Sequence, residues 1–487
     1  MSDNPDCSSP AAHLVPSPHA TVHRLNDDTL LNVFNYYRLD KMNGWNVRLG
    51  WCKLSHVCRR WRHLMYESTF HLGMHIRYTE GAPRVATLDH LPPLPVLVNF
   101  NSTVTEKDEL GICQALRLRD RVRHIHLHLP PSILHKCLVL MDEHFPILEY
   151  LSLLFTTDNL ATLTLPKGFR APNLRHLALP GISPPKRLRL LTHTVTLVTL
   201  SLSHIQSSSY IRPRLLVARL LSLPQLKKLS IGFSTPIPRP SAERDLLGEQ
   251  GTPVTLPNLK TLTFRGVSAY LESLVAQIRA PLLERLDVTL FNQISFELPH
   301  LAHLINATEG FKLPIARVLF HRNEVSVLTS RQVSRWSDGP CRIRVICQQF
   351  DWQIDCAAQI CRAPIPALSG VPERFILDCH TDVLLSEWRK SEIDCTTWIE
   401  LLRPLVGVKE LRFDNAVLLE ELSHALQEDE VLGLDPGFLP DLQYIVAGNN
   451  RFASFIETRR VVGRPFLFWP TSSRPPTLRP RIKSSAE

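Results

Sequence analysis

The feature that most restricts the fold is a short apolar pattern that recurs along the chain. In each copy, three apolar residues are separated first by two variable residues and then by one. The clear copies are PILEYLSL (146–153), PNLRHLAL (172–179), PQLKKLSI (224–231), PNLKTLTF (257–264) and PLLERLDV (281–288), with a looser copy, TLVTLSL, at 196–202. Successive copies begin 23 to 33 residues apart, a period typical of solenoids built from one supersecondary unit per repeat.

The pattern also predicts the structure of each repeat. Its last two apolar residues are two positions apart, so on a strand both side chains point to the same face. Stretches with helical features precede several copies: EKDELGICQALRL, PSILHKCLVLMDE, RPRLLVARLL, SAYLESLVAQI and CTTWIELLRPL. One such unit cannot bury its own apolar side, so the units must stack. We therefore predict an α/β fold, a right-handed solenoid with parallel strands on its concave face and helices on its convex face.

Composition and pattern together predict the boundaries of the regions. They are a disordered tail at 1–21, a helical unit at 22–70, a junction with the first solenoid elements at 71–120, the solenoid at 121–463 and a disordered basic tail at 464–487. Within the solenoid, residues 292–400 fit the repeat poorly. That stretch is compatible with irregular repeats or with an insertion.

The helical unit contains two stretches with apolar residues at helical spacing. Asn26 and Asp27 are suited to cap a helix over DTLLNVFNYY (28–37). A second helix is predicted over 54–66, and Arg59, Arg60, Arg62 and His63 fall between its apolar positions. The basic residues therefore indicate the solvated face of an amphipathic helix. This interpretation does not favour nucleic-acid binding, since base-reading helices belong to characteristic scaffolds that the segment lacks.

The same unit resembles an F-box. VHRLNDDTLLNVFNYY matches the first half of that motif through Leu25, Asp28, Val33 and Phe34. KLSHVCRRWRHLMYES matches the second half through Leu54, Val57, Cys58, Arg59 and Trp61. An F-box followed by leucine-rich repeats is an arrangement found in fungal F-box proteins, so the chain resembles that family.

The resemblance implies a substrate-recognition role in an SCF-type ubiquitin ligase. The F-box would bind a Skp-type adaptor, which links the chain to a cullin scaffold and a RING subunit, and the repeats would bind a protein substrate. The residues that the resemblance assigns to the adaptor contact are Leu25, Leu30, Val33, Phe34, Tyr37, Leu54, Val57, Cys58, Trp61 and Leu64. The alternative is a leucine-rich-repeat interaction scaffold without a ligase role, in which Trp61 and its neighbours pack against the first repeats.

Polar residues on the concave face are candidates for substrate binding. In RHIHLHLP three histidines alternate with Ile125 and Leu127, so all three point away from an apolar core. The candidates chosen from this register are His124, His126, Tyr150, His176, Lys228, Arg265 and Arg285. The set leans basic and predicts an acidic or phosphorylated protein substrate; the alternative is that these are ordinary solvated strand residues. No third ligand accompanies the histidines, so we predict no metal.

The sequence offers no enzyme motif. It lacks a G-x-S-x-G elbow, a Walker A loop, a G-x-G-x-x-G segment and an H-E-x-x-H pair, and it has 19 glycines in 487 residues. We predict no catalytic residue and no cofactor. The formal charge of +9 permits contact with nucleic acid without requiring it.

Cysteine usage and hydropathy predict the compartment. The eleven cysteines show no disulfide framework, so we expect reduced thiols. The first residues do not resemble a signal peptide, and no apolar run reaches the roughly 18 residues of a membrane span. These features predict a cytoplasmic or nuclear protein.

Overall fold

The structure, a computed structural model of the 487-residue chain, consists of a helical unit followed by a long sheet covered by helices. The described residues are 25–41, 52–68, 75–79, 94–101, 104–155, 163–184, 190–236, 253–293, 295–331, 339–362, 372–379, 395–428, 435 and 437–471. The predicted tail at 1–21 and the end of the predicted tail at 464–487 lie outside these ranges.

Three helices form the N-terminal unit: α1 (Asp27–Lys41), α2 (Cys52–Ser55) and α3 (Arg59–Glu67). The Asn26 side chain caps α1, because its Oδ1 accepts a hydrogen bond of 2.8 Å from the Thr29 N–H. The predicted second helix over 54–66 is wrong in one respect, since the chain leaves helical geometry between α2 and α3. The break occurs because Cys58 is extended and acts as the N-cap of α3.

Sixteen strands form one continuous, mostly parallel sheet among the described residues. They lie side by side in the order β1-β2-β3-β4-β5-β6-β7-β9-β11-β14-β13-β12-β15-β16-β17-β18. Their bounds are β1 (Ile76–Tyr78), β2 (Val96–Asn101), β3 (Val122–Leu129), β4 (Tyr150–Phe155), β5 (His176–Ala178), β6 (Thr199–Ile205), β7 (Lys228–Phe233), β9 (Thr261–Gly266), β11 (Arg285–Phe291), β12 (Ile315–Phe320), β13 (Glu324–Ser330), β14 (Cys341–Ile346), β15 (Arg374–Cys379), β16 (Glu410–Phe413), β17 (Tyr444–Ala447) and β18 (Leu467–Pro470). The strands β8 (Val254–Thr255) and β10 (Ile278–Arg279) pair separately.

A row of helices lies along one face of this sheet. They are α4 (Glu106–Arg117), α5 (Pro131–Leu140), α6 (Pro213–Leu220), α7 (Ser268–Val275), α8 (Pro299–Ala307), α9 (Phe350–Arg362), α10 (Cys395–Leu402), α11 (Ala416–Glu428) and α12 (Ala453–Val461). Successive helices such as α4 and α5, or α10 and α11, contact each other. The predicted α/β arrangement of stacked strand–helix units with a mostly parallel sheet is confirmed. Within the described ranges, no helix is long and apolar enough to span a membrane.

The apolar pattern becomes the core between sheet and helices. In β3, Ile125, Leu127 and Leu129 are fully buried, and the residues between them are half-buried. Buried helix residues such as Ile112 and Leu134 belong to the same continuous core. One face of each strand therefore packs under the helices. We call the opposite face of the sheet the open face.

The irregular stretch at 292–400 contributes to the sheet without interrupting it. After β11 the chain reaches β12, returns antiparallel in β13 and comes back in β14, which pairs with β11. β12 then pairs in parallel with β15, so the parallel series continues. An antiparallel strand thus lies within the repeat array, which the repeat pattern did not predict. The sheet also runs past the predicted solenoid end at 463, because β18 pairs with β17.

A buried carboxylate joins two neighbouring repeats. Glu272 of α7 is buried and accepts hydrogen bonds of 2.8 and 2.9 Å from the backbone N–H groups of His300 and Leu301. These donors lie in the first turn of α8, where backbone N–H groups lack intrahelical partners. Burial raises the pKa of Glu272, and the two N–H donors oppose that rise. Glu272 therefore caps the helix of the next repeat.

Replacing this cap should measurably weaken the stack. We expect Glu272→Ala to lower the free energy of unfolding by about 2 kcal/mol, because the N–H groups of His300 and the buried Leu301 lose their acceptor. Urea titration followed by far-UV circular dichroism measures the change. Glu284→Ala is the control, since exposed Glu284 only pairs with Lys260 and should cost at most about 1 kcal/mol. Equal losses in the two variants would contradict the capping role.

Candidate functional site

An aromatic pair joins two helices of the helical unit. Phe34 of α1 meets Trp61 of α3 edge to face, with ring centroids 4.8 Å apart. Leu30 is 0% exposed and Phe34 is 2% exposed. Both side chains therefore help to hold the short helices of the unit together. Their contact with an adaptor stays a prediction.

The basic residues of the unit tie its helices together. The Arg60 guanidinium donates to the Asp27 carboxylate at 2.6 Å and to the Leu25 carbonyl at 2.7 Å. Nε of Arg62 donates to the Ser55 carbonyl at 2.9 Å. These bonds connect α3 to the start of α1 and to the end of α2. Arg60 and Arg62 thus fix the geometry of the unit, a role that the amphipathic pattern did not predict.

Cys58 also serves the fold of the unit. Its Sγ accepts a hydrogen bond from the Trp61 N–H at 3.5 Å and so caps α3. The cap places Trp61 in the first turn of α3, with its ring against Phe34. Within Val-Cys-Arg-Arg-Trp, Cys58 caps the start of α3 and Arg60 bonds to the start of α1. Trp61 packs against Phe34.

Other apolar residues of the unit remain accessible. Val33 is 46% exposed, Val57 is 59% exposed and Leu25 is 38% exposed. Tyr36, which sequence reasoning did not select, is 75% exposed. The remaining predicted contacts are half-buried: Tyr37, Leu54, Cys58, Trp61 and Leu64. Exposed apolar side chains on one small unit are a candidate surface for a partner. We call Leu25, Val33, Tyr36 and Val57 the exposed apolar set.

The open face brings the predicted substrate-binding residues onto neighbouring strands. One register row crosses seven strands and contains His124, Tyr150, His176, Thr199, Lys228, Thr261 and Arg285. His126 lies in the next row, opposite Ser152. Arg265 lies two rows beyond Thr261 on β9. All seven predicted residues therefore share one face of one sheet.

Three rings of this row stack on each other. The His124 and Tyr150 rings are parallel within 6° and have centroids 4.0 Å apart. Tyr150 and His176 follow with centroids 5.6 Å apart and planes tilted by 40°. At the edge of the row, Nε of Arg77 donates to Nε2 of His75 at 3.1 Å. Parallel strands in register hold these side chains at a fixed spacing, so they form a flat polar platform.

The histidines of the platform are held in their neutral form. Burial, followed by the nearby charges of His126, Arg77, His176 and His75, lowers the pKa of His124 to about 4. Burial, followed by the charge of His128, lowers the pKa of His126. For His176, burial and then Lys228 and Arg175 lower the pKa, against the opposing charge of Glu149. The positive charge of the open face at neutral pH therefore comes from lysine and arginine.

Three exposed cations lie beside the platform. Lys228, Arg265 and Arg285 are exposed, and no carboxylate within the described ranges forms an ion pair with any of them. Arg265 extends over the Phe291 ring, with its guanidinium carbon 5.8 Å from the ring centroid. These cations are thus available to an anionic partner.

On the rest of the open face, charged side chains form ion pairs with each other, and several strands are buried on both faces. Arg344 of β14 bonds Asp287 of β11 at 2.9 Å. Arg374 bonds Glu410 at 3.0 Å. On β12, β13 and β15, residues of both faces are buried, among them Arg317, Leu328 and Ile376. The open face therefore divides into a basic half, from β1 to the start of β11 at Arg285, and a sealed half beyond it.

The described ranges contain no group of three or more His, Cys, Asp or Glu side chains that could hold a metal ion. Eight cysteines in these ranges are free thiols, and six of them are buried. Burial raises the pKa of the Cys361 thiol to about 12 and that of Cys341 to the same value. Both thiols are protonated at neutral pH and serve as core residues.

Comparisons with known proteins add little to this geometry. No family model and no curated protein matches the sequence. Solved structures include 14 chains that match, among them the leucine-rich repeat-containing protein LegL7 from Legionella pneumophila. That match covers 81% of this chain and 99% of the other chain, with 12% sequence identity and a TM-score of 0.25. The comparisons therefore assign the chain to no family.

The lowered pKa of His124 predicts a pH dependence of stability. Its pKa in the folded chain lies below the ordinary value, so the unfolded chain binds the proton more readily and stability falls as the pH falls from 6.5 toward 4. Between pH 7 and pH 5 we expect His124 to account for a loss of up to about 2 kcal/mol. Urea unfolding of the wild type and of His124→Gln at both pH values measures this loss.

His303→Gln is the matched control, because His303 is an exposed histidine on α8. The His124→Gln variant should lose less stability on acidification than the wild type, whereas the control should match the wild type. An identical pH dependence in all three proteins would show that the folded structure does not keep His124 neutral.

Proposed function

We propose that this chain is the substrate-recognition subunit of an SCF-type ubiquitin ligase. In this role the helical unit binds a Skp-type adaptor, which connects it to a cullin scaffold and a RING subunit. The open face of the sheet binds the protein substrate. The chain itself contributes binding surfaces and no catalytic group.

The exposed apolar set carries the proposal for the helical unit. Leu25, Val33, Tyr36 and Val57 are exposed, whereas Leu30, Phe34 and Met65 of the same unit are buried. Exposed apolar side chains point to a binding surface where they form one patch, and all four lie on the same short unit. The F-box-like sequence around them suggests the kind of partner, an adaptor helix bundle.

The open face supports the substrate-binding part of the proposal. Stacked repeats present one continuous surface of strand residues, and this geometry suits the capture of extended or folded protein segments. The His124–Tyr150–His176 platform and the exposed cations beside it form such a surface here. No step in this role requires a cofactor.

A second candidate function is an interaction scaffold without a ligase role. Leu30, Phe34 and Met65 of the helical unit belong to the same continuous apolar core as the first strands. A unit joined to the repeats in this way can act as the N-terminal cap of the solenoid. In that case the open face would still bind a partner, and the helical unit would bind none.

Adaptor capture with two kinds of variant distinguishes the candidates. The full chain is co-expressed with a tagged Skp-type adaptor and analysed by affinity capture and size-exclusion chromatography. We expect the wild type to form a stoichiometric complex. Val33→Asp with Val57→Asp should abolish the complex while leaving the thermal transition unchanged, because both side chains are exposed. Trp61→Ala should instead unfold the unit, at a cost of about 3 kcal/mol.

The control is Val139→Asp with Val195→Asp, since both valines are exposed and lie outside the helical unit. This control should bind the adaptor like the wild type. A folded wild-type chain that ignores the adaptor would favour the scaffold function. Capture that survives Val33→Asp with Val57→Asp would show that the adaptor binds elsewhere.

A further inference from the structure

The charges on the basic half of the open face are of one sign, positive. In the eight sheet strands from β1 to β9, the described open-face positions carry Arg77, Lys228 and Arg265 but no aspartate or glutamate. The carboxylates beside this surface are already paired. Glu149 pairs with Arg123 at 3.0 Å and Glu284 pairs with Lys260 at 2.6 Å. The field above this half is therefore positive and uncompensated.

The positions of the cations define a line across the strands. Lys228, Thr261 and Arg285 are direct partners in the parallel register. Neighbouring strands lie about 4.8 Å apart, so Lys228 and Arg285 are separated by about 10 Å along this line. Arg77 lies at the other end of the same register series, eight strands from Arg285. The full line therefore extends over about 38 Å.

Small side chains run parallel to this line. In the adjacent register row, Ala178, Ser201, Ser230 and Thr263 follow the buried Ser152. The row continues at one end to His126 and at the other to Asp287, whose carboxylate is paired with Arg344. These short side chains leave space above the strands, and the hydroxyl groups can donate hydrogen bonds to an anion. The row of cations and rings thus borders a shallow polar track.

We propose that this track binds an extended acidic peptide segment of the partner protein, lying across the strands with its carboxylates toward Lys228, Arg265 and Arg285. The proposal rests on the interaction role of the open face proposed above and names the class of its partner. Residues three apart in a polyproline-II segment project on the same side and lie about 9.3 Å apart. That spacing matches Lys228 and Arg285, so acidic residues at every third position fit best.

The distribution of charge favours a peptide over a nucleic acid. Arg77, Lys228, Arg265 and Arg285 are spread over about 38 Å, whereas duplex DNA carries one charge per roughly 1.7 Å of its axis. The platform rings lie against each other, as the 4.0 Å separation of His124 and Tyr150 shows. They are therefore not spread out to stack separate bases, as single-strand binding requires. Sparse cations with hydroxyl donors suit sparse carboxylates.

The test measures binding of a defined acidic probe to the full chain. The probe is a fluorescein-labelled peptide of sequence (Glu-Pro-Pro)4, and its matched control is (Gln-Pro-Pro)4. Fluorescence anisotropy should show saturable binding of the glutamate probe that weakens as NaCl is raised. The glutamine peptide should bind at least about tenfold more weakly, because it offers no charge to the cations.

Charge reversal locates the binding surface. Lys228→Glu with Arg285→Glu should weaken the binding of the glutamate probe at least about tenfold. Lys107→Glu with Arg322→Glu is the control of equal charge change, since both residues are exposed and lie outside the strands. The control should leave affinity within about twofold of the wild type, because distant exposed charges are screened. Both pairs of substitutions should leave the thermal transition of the chain unchanged.

Three results would overturn the proposal. They are absence of saturable probe binding by folded wild-type chain, equal binding of the glutamine peptide, and equal effects of the two double reversals. Displacement of the probe by an oligothymidylate at far lower concentration would assign the track to nucleic acid instead. Adaptor capture is measured on the same wild-type preparation. A wild-type chain that binds the probe but captures no adaptor refutes the ligase role alone, and one that captures the adaptor but binds no probe refutes the acidic-peptide partner alone.

Discussion

The structure depends on one constraint: the apolar row of each strand–helix unit can be buried only against its neighbours. A single register series shows how this is met. Ile125, Leu151, Leu177, Leu200 and Leu229 pair in turn across five parallel strands, and all are buried. Parallel pairing in register repeats the same environment at each step, so each of these five strands buries the corresponding alternate residues under the helices. The open face follows from this rule, because the alternate residues of each strand point to the opposite side of the sheet.

The same rule allows the open face to differ along its length. In the basic half, neutral histidines and small hydroxyl residues accompany cations that lack carboxylate partners in the described part of the chain. In the sealed half, Arg344 and Arg374 are bound to Asp287 and Glu410. In such an ion pair, N–H donors of the arginine are already bonded to a carboxylate of the fold and are not free for a partner. Binding and structural roles are thereby separated along one sheet.

Much of this organisation could be predicted from the sequence, because strand alternation has a fixed period of two. The repeat pattern predicted the parallel strands, most of the helices before them, and the shared face of His124, Tyr150 and Lys228. It did not predict the antiparallel strand β13, because pairing direction depends on where distant strands dock. A parallel repeat alone contains no signal for a returning strand.

The helical unit shows a second limit of sequence reasoning. Helical spacing identifies an apolar stripe, but it does not distinguish a residue buried inside the unit from one available to a partner. Leu30 and Phe34 proved to be core, whereas Val33 and Tyr36, on the same helix, are exposed. The break at Cys58 was missed for a related reason, since a cysteine cap is less typical than a serine or aspartate cap.

The most direct test of the central claim compares arginine reactivity on the two halves of the open face. The full chain is treated with phenylglyoxal, and the modification rate of each arginine is followed by mass spectrometry. We predict that Arg265 and Arg285 react at the rate of exposed arginines such as Arg322. Buried Arg317 and ion-paired Arg344 should react at least about tenfold more slowly. Similar rates at all four positions would contradict a division of the sheet into a basic half and a sealed half.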